Sequence, residues 1–216
     1  PMFLEYLEGL ILLAMNKPHL ALSKLLKIQE RNPYNYQVAL NIAQIFLQRK
    51  KYELAEAQFI RALNIDDSPA RAHHGLGLSF LRRGELNAAI EEFLIAIECD
   101  FFFHRAHYHL GEALVREGLT DDAIKAFEVN LRLVPGNVKA HKWLHKLYSE
   151  ENRNLEKANI HLDFLRESLK GERIILTEAI EQNQGKVLDF IQRLGIPTYD
   201  AEKYGERAKN LHLNAQ

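Results

Sequence analysis

The chain has 216 residues, of which 47% are hydrophobic and 26% charged, and its formal net charge is -1. This composition provides both a core and a solvated surface. The near-zero net charge does not by itself indicate or exclude attraction to nucleic acid or membranes, so any charge selectivity must come from the local distribution of charge. Because the whole chain is not basic, we expect no nucleic-acid partner. Cys99 is the single cysteine, which excludes an intramolecular disulfide framework. The lone cysteine and the lack of a leader segment together favour a cytoplasmic location as an expectation. We expect Cys99 to be a small core or turn residue.

Residues 2–15 are apolar on nearly every face of a predicted helix, a pattern that calls for burial all round. The segment is too short, and with Glu5 and Glu8 too acidic, to span a bilayer or act as a signal peptide, so we expect no membrane partner. We interpret it as an internal first helix whose neighbour in an upstream domain is missing. The alternatives are a self-association face and a face covered by a tail segment.

From this segment onward, the same residue types return every 34 residues. Residues three and four apart share a helical face, so each cycle predicts two short amphipathic helices joined by a tight turn, with Gly84 and Gly118 in two of the turns. Small residues are expected where the helices cross, with large residues beside them. The two small series are Gly9, Ala43, Gly77, Gly111 and Ala21, Ala55, Ala89, Ala123, and one large series is Leu25, Phe59, Phe93, Phe127.

This pattern resembles the tetratricopeptide repeat, which has a small residue after Leu in the first helix, Ala-x-x-x-Phe in the second and proline at the close. The matching residues are Leu76-Gly77, Ala89-x-x-x-Phe93, Pro33 and Pro135. The resemblance implies an all-α, right-handed α-α superhelix of helix-turn-helix repeats over residues 1–168. The predicted repeats are 2–35, 36–69, 70–103, 104–137 and 138–168. In the fifth, Ala158 comes one residue late, which implies an insertion within 150–154.

The remainder of the chain, residues 169–216, is predicted to form C-terminal capping helices. Short amphipathic segments at 172–182 and 186–194 are followed by a polar helix at about 200–211, and a terminal element of a solenoid needs one apolar and one polar face. The alternative is a tail that acts only with a partner.

The resemblance to tetratricopeptide repeats also implies that the first helices line a concave groove, with five groove-facing positions in each cycle. At these positions in cycles two to five, seven side chains are Lys or Arg and two are acidic. We therefore predict a basic groove that binds an acidic or extended peptide, or a terminal carboxylate. The alternative is a solvated face without a ligand. The predicted binding residues are Asn41, Gln44, Arg71, His74, Arg105, Tyr108, His109, Glu112, Lys139, Lys142, Trp143 and Lys146.

The histidines do not predict a metal site. His73, His107 and His141 occupy equivalent positions and are expected to pack between helices, whereas His74 and His109 are expected to face the groove beside arginines, which disfavour a dication. Nucleophile elbows, phosphate-binding loops and paired cysteines are absent from the sequence. We therefore expect no cofactor and no catalytic residue, and the leading hypothesis is a non-catalytic scaffold for protein–protein interaction.

A second resemblance concerns residues 104–148. The run Arg-Ala-His-Tyr-His-Leu-Gly-Glu-Ala-Leu at 105–114 is similar to repeat segments that follow catalytic domains of the alkaline phosphatase superfamily, in its type I phosphodiesterase/nucleotide pyrophosphatase branch. This resemblance implies an accessory C-terminal module of a larger hydrolase, with none of the catalytic residues in this chain. A third hypothesis is a scaffold that self-assembles through residues 2–15.

Overall fold

A computed structural model describes residues 2–65, 69–150 and 154–170. Within these ranges the chain is all-α, and its ten helices alternate between the first and second helix of a repeat. The helices are α1 (Met2–Ala14), α2 (Pro18–Arg31), α3 (Tyr36–Gln48), α4 (Tyr52–Leu63), α5 (Ala70–Arg83), α6 (Leu86–Cys99), α7 (His104–Glu117), α8 (Thr120–Leu133), α9 (Val138–Ser149) and α10 (155–170).

The chain divides into two compact units, residues 1–162 and 163–216, and helices α1 to α9 lie in the first unit. In that unit each helix contacts the next one along the chain, and the first helices α3, α5 and α7 also contact one another in order. Stacked helical hairpins produce this arrangement, because a hairpin buries its apolar face only against its neighbours. The predicted all-α superhelix of hairpins is confirmed. The predicted capping helices beyond residue 170 lie outside the described residues, as does most of the predicted insertion at 150–154.

The helix ends follow from the sequence at several positions. Gly84 and Gly118 end α5 and α7 in the left-handed conformation, with φ of 86° and 85°, which glycine adopts without steric cost. Asn35 caps α3 by accepting a hydrogen bond from the Val38 N–H at 3.1 Å, and Asn137 caps α9 in the same way. The predicted turns at the two glycines are therefore confirmed.

The core is built from the repeating large and small residues. Phe59, Phe93 and Phe127 of the second helices are almost completely buried. Gly77 lies so close to Phe93 that a Cβ atom placed on it would come within 2.6 Å of the ring, and the same distance is 2.7 Å for Gly111 and Phe127. The small residues therefore lie at helix contacts, as predicted, because only they let the backbone approach the phenylalanine rings.

We expect the free energy of unfolding of the Gly77→Ala variant to be about 1–2 kcal/mol lower than that of the wild type. Overpacking costs about 1–3 kcal/mol, and here the cost lies towards the upper end because the added Cβ would come within 2.6 Å of the Phe93 ring. The better helix propensity of alanine offsets about 1 kcal/mol of that cost. Urea denaturation followed by circular dichroism measures the difference. The matched control is Gly136→Ala, where the added methyl group meets no atom within 4 Å. Equal stability of the two variants would contradict the close contact.

The equivalent histidines have two different roles. His107 and His141 are buried, and the Nε2–H of each donates to a carbonyl oxygen in the loop before its helix at 2.9 Å, as expected for packing residues. His73 is less buried and instead binds Glu92, with Nδ1 and Oε2 2.7 Å apart. Cys99 is exposed at the last residue of α6, where the loop to α7 begins, so of the two predicted alternatives it is the turn residue and not the core residue. The α6 residues that face the core are Ala89, Phe93 and Ala96.

Helix α1 is less buried than its pattern predicts. Gly9 is its one buried residue, whereas Phe3 and Leu4 are 70% and 64% exposed. Burial all round is therefore not achieved: α1 packs on α2, and Tyr6 also contacts Asn41 of α3, but no described element covers Phe3 and Leu4. None of the described helices combines the length and apolar character required to cross a membrane.

Candidate peptide-binding groove

The first helices α3, α5, α7 and α9 carry the predicted binding residues, and we call the surface that these residues form the groove face. It includes Asn41 and Gln44 of α3, Arg71 and His74 of α5, Arg105 to Glu112 of α7, and Lys139 to Lys146 of α9. The fifth residue of one predicted 34-residue repeat contacts the sixth residue of the next repeat, so the paired residues are 35 apart and not 34. This contact recurs because successive first helices lie side by side. The pairs are Tyr6–Asn41, His74–His109 and Tyr108–Trp143.

The His74–His109 pair forms the middle of the groove face. The His74 ring is only 8% exposed, with its centroid 4.9 Å from that of Phe103, and His74 Nε2 lies 2.9 Å from His109 Nδ1. His109 stacks on Phe93 at 5.9 Å, so the core phenylalanine supports the pair from below. Both rings are held by packing, and this part of the surface is pre-organised.

Burial also decides the charge of these two rings. It lowers the pKa of His74 to about 3, with a smaller contribution from His109 and Arg105, and lowers the pKa of His109 to about 4. Both imidazoles are therefore neutral at pH 7. The positive charge of the groove face must come from its arginines and lysines.

The Tyr108–Trp143 pair forms the neighbouring part of the groove face. Trp143 stacks on the core residue Phe127, with centroids 5.9 Å apart and planes 10° apart, and the Tyr108 ring lies 5.8 Å from the same phenylalanine. The Tyr108 hydroxyl donates to Glu112 at 3.2 Å, and burial, with the Glu112 charge, raises the Tyr108 pKa to about 12. Lys146 Nζ lies 5.5 Å from the Trp143 ring centroid, in cation–π geometry.

Most cations of the groove face have no carboxylate partner among the described residues, although Lys146 Nζ lies 3.7 Å from Glu150 Oε1. Arg71, Arg105, Lys139 and Lys142 are exposed, and none forms an ion pair with another described residue. Many other cations do form ion pairs. Examples are Arg83–Glu56 at 2.8 Å, Lys125–Asp122 at 2.8 Å and Lys157–Glu128 at 3.0 Å. The groove face thus keeps charge that is not neutralised by a neighbouring carboxylate.

The predicted site residues fall into two groups. One group is exposed and available to a partner: Gln44, Arg71, Arg105, Lys139, Lys142 and Lys146. The other group is half-buried or buried and forms the floor: Asn41, His74, Tyr108, His109, Glu112 and Trp143. Among these floor residues the His74 ring is the most covered, because Phe93, Phe103 and His109 contact it. Its part in binding stays a prediction.

Sequence reasoning missed the residues that support this floor. Phe93, Phe103 and Phe127 contact the groove-side residues but occupy no groove position of their own repeat. A search for polar or aromatic pairs 35 residues apart would have found the pairs between repeats. Among the residues that the structure describes, no group of three or more His, Cys, Asp or Glu is placed to hold a metal ion.

The fold resembles solved structures of repeat proteins. The structure of MamA superposes with a TM-score of 0.64 at 20% identity, covering 78% of this chain and 96% of that protein. PilF from Pseudomonas aeruginosa superposes with a TM-score of 0.71 at 18% identity, covering 95% of this chain and 97% of that protein. YrrB, described as a TPR protein with an unusual peptide-binding site, gives 0.57 at 22% identity, covering 73% of this chain and 80% of that protein. At these identities the likeness shows the fold alone.

A family model supplies the assignment. A comparison with curated proteins finds no match. The model for the tetratricopeptide repeat matches residues 6–69 and 74–138, which together make up more than half of the chain. The matched ranges contain the close glycine–phenylalanine contacts of the core and most of the groove face. The chain therefore belongs to the tetratricopeptide repeat family.

Proposed function

We propose that this protein is a non-catalytic interaction scaffold that binds an acidic, extended peptide across the groove face. Membership of the tetratricopeptide repeat family supports an interaction role. The observation that carries the finer proposal is that four exposed cations without ion pairs to other described residues, Arg71, Arg105, Lys139 and Lys142, recur at groove-side positions of successive first helices. Several second-helix cations, such as Lys24, Arg31 and Lys125, are instead paired with carboxylates. Cations without a local partner attract carboxylates of a ligand.

The floor of the groove face supports an extended ligand in particular. The rings of His109 and Trp143 are fixed by stacking on core phenylalanines, so a ligand does not have to order them. Neutral imidazole and aromatic surfaces suit the apolar parts of a peptide, and the cations at their margin suit its Asp and Glu side chains or its terminal carboxylate. The proposed ligand therefore alternates acidic and apolar contacts.

The test is a titration followed by fluorescence anisotropy, with a labelled peptide rich in Asp and Glu and a matched peptide in which Asn and Gln replace them. We expect the triple variant R71E/R105E/K142E to bind the acidic peptide at least about tenfold more weakly than the wild type, because three half-screened charges are worth about 1.5–3 kcal/mol together. An amidated version of the peptide measures how much the terminal carboxylate contributes.

The control variant K27E/K51E/R132E makes the same change in net charge away from the groove face. Lys27 and Arg132 lie in the second helices α2 and α8, and Lys51 lies in the turn between α3 and α4. We expect it to bind the acidic peptide as the wild type does, apart from a small effect that added salt removes. If both triple variants weaken binding equally, the attraction is a property of net charge and not of the groove face. If neither does, the groove proposal is wrong.

A further inference from the structure

Three cations of the groove face occupy the same position in successive repeats. Arg71, Arg105 and Lys139 are each the second residue of their helix, in α5, α7 and α9, and they recur every 34 residues. All three are exposed, and none forms an ion pair with another described residue. We call these three residues the cation column. The equivalent residue of α3 is Gln37, so the column begins at the third repeat.

The stability of the helices does not account for these cations. The start of a helix is the positive end of its dipole, which favours acidic residues and disfavours cations. The second helices α4 and α8 follow this preference, with Glu53 in one first turn and Asp121 and Asp122 in the other. The first helices α5, α7 and α9 have no acidic residue in their first turns and carry the cation column there instead. A ligand carboxylate at the column would offset this unfavourable arrangement, because the cation and the helix dipole would both attract it.

The packing of the first helices sets the spacing of the cation column. Successive first helices lie side by side, and the contact between α5 and α7 brings His74 Nε2 to 2.9 Å from His109 Nδ1. Helices packed in this way have axes about 8–10 Å apart. Equivalent residues such as Arg71 and Arg105 are therefore separated by about the same distance along the groove face.

An extended ligand backbone matches this spacing at one interval. Such a chain advances about 3.1–3.4 Å per residue, so three residues span about 9–10 Å, whereas two span about 6–7 Å and four about 12–14 Å. The polyproline II conformation has about 3 residues per turn, so every third side chain also points to the same side. Acidic residues at intervals of three can therefore all face the column, while the residues between them face the floor of the groove or solvent.

We infer that the ligand of the groove face carries an acidic side chain at every third residue over about seven residues. Three of these carboxylates bind Arg71, Arg105 and Lys139, one at each cation. This inference rests on the proposed function and adds to it the spacing of the charges on the ligand. Arg105 is the middle cation whichever way the ligand chain runs, so it binds the middle carboxylate of the three.

The test uses the full chain and three labelled peptides of about ten residues, with blocked ends and identical composition, which each contain three aspartates among alanine and glutamine. The aspartates stand at intervals of three, at intervals of two, or next to one another, so the net charge of the peptide is constant. We expect the first peptide to bind at least about fivefold more tightly than the other two in fluorescence anisotropy at low salt, because only its carboxylates meet all three cations at once.

An exchange of charges identifies the residue that each carboxylate meets. The variant Arg105→Glu should bind the interval-of-three peptide at least about fivefold more weakly than the wild type does. Replacing the middle aspartate of the peptide by lysine should restore binding to this variant, whereas replacing the first aspartate should not. The matched control is Arg132→Glu, an exposed position of α8, which should bind every peptide as the wild type does.

The outcomes separate this inference from the groove proposal. Equal binding of the three isomeric peptides by the wild type, with the loss in R71E/R105E/K142E still observed, would overturn the spacing and leave the groove proposal intact. Equal recovery of Arg105→Glu by the two lysine-bearing peptides would also overturn the spacing. Failure of the wild type to bind any acidic peptide, including the peptide rich in Asp and Glu, would overturn both.

Discussion

Replacing Phe93 by alanine should lower the free energy of unfolding by about 3–5 kcal/mol, the range measured for large aromatic residues removed from a core. Phe93 is completely buried, lies against Gly77 and contacts the rings of His74 and His109. The variant loses the transfer free energy of the ring and leaves a cavity, because the helices around it are held by neighbouring repeats and cannot close the gap. Chemical denaturation of the full chain measures the loss.

The control for this experiment is Phe102→Ala. Phe102 has the same side chain but is 76% exposed in the loop between α6 and α7, so its removal should change stability by no more than about 0.5 kcal/mol. A loss below about 1 kcal/mol for Phe93→Ala would mean that the phenylalanine series does not form the core. The Phe93 variant should also weaken the groove face, since its ring supports the histidine pair.

Acidification should destabilise the protein through the buried histidines. An unfolded histidine has a pKa of about 6.5, whereas burial lowers the pKa of His74 to about 3 in the folded protein. The stabilising effect of neutral His74 is therefore fully present above pH 6.5 and is lost as the pH falls. The reason is that below pH 6.5 the His74 imidazole becomes protonated in the unfolded chain but stays neutral in the folded chain. Between pH 7 and pH 5 this effect amounts to about 2 kcal/mol for His74.

The variant His74→Gln isolates this contribution. Its free energy of unfolding should fall by about 2 kcal/mol less than that of the wild type between pH 7 and pH 5. The groups around His74 include Arg105 and His109, and His109 has its own lowered pKa, so the variant should keep part of the pH dependence. Parallel curves for His74→Gln and the wild type would contradict the burial argument.

Much of the fold could be predicted from the sequence because the repeat imposes it. Gly77 and Phe93 belong to two series that recur every 34 residues, and a contact that must be made in each repeat leaves the same residue types at the same offsets. Single residues outside the series were harder to place. Cys99 lies at the end of α6, beyond Phe93 and Ala96, which carry the core contacts, and no recurring pattern fixes its side.

The groove face could be predicted only in part, for a related reason. The exposed cations Arg71 and Arg105 follow from repeat positions, but the burial of His74 depends on Phe103 and on His109 of the next repeat. Contacts between repeats involve a spacing of 35 residues, so a comparison within one 34-residue cycle does not find them. The resemblance of residues 104–148 to segments after phosphodiesterase domains stays a prediction.

The most direct test of the peptide-binding proposal is to map the ligand by nuclear magnetic resonance on the isotopically labelled full chain. Titration with the acidic peptide should shift the backbone and side-chain signals of α5, α7 and α9, including the Trp143 indole N–H, with little change in α4, α6 and α8. Shifts confined to the second helices, or spread evenly over all exposed lysines and arginines, would contradict a ligand site on the groove face.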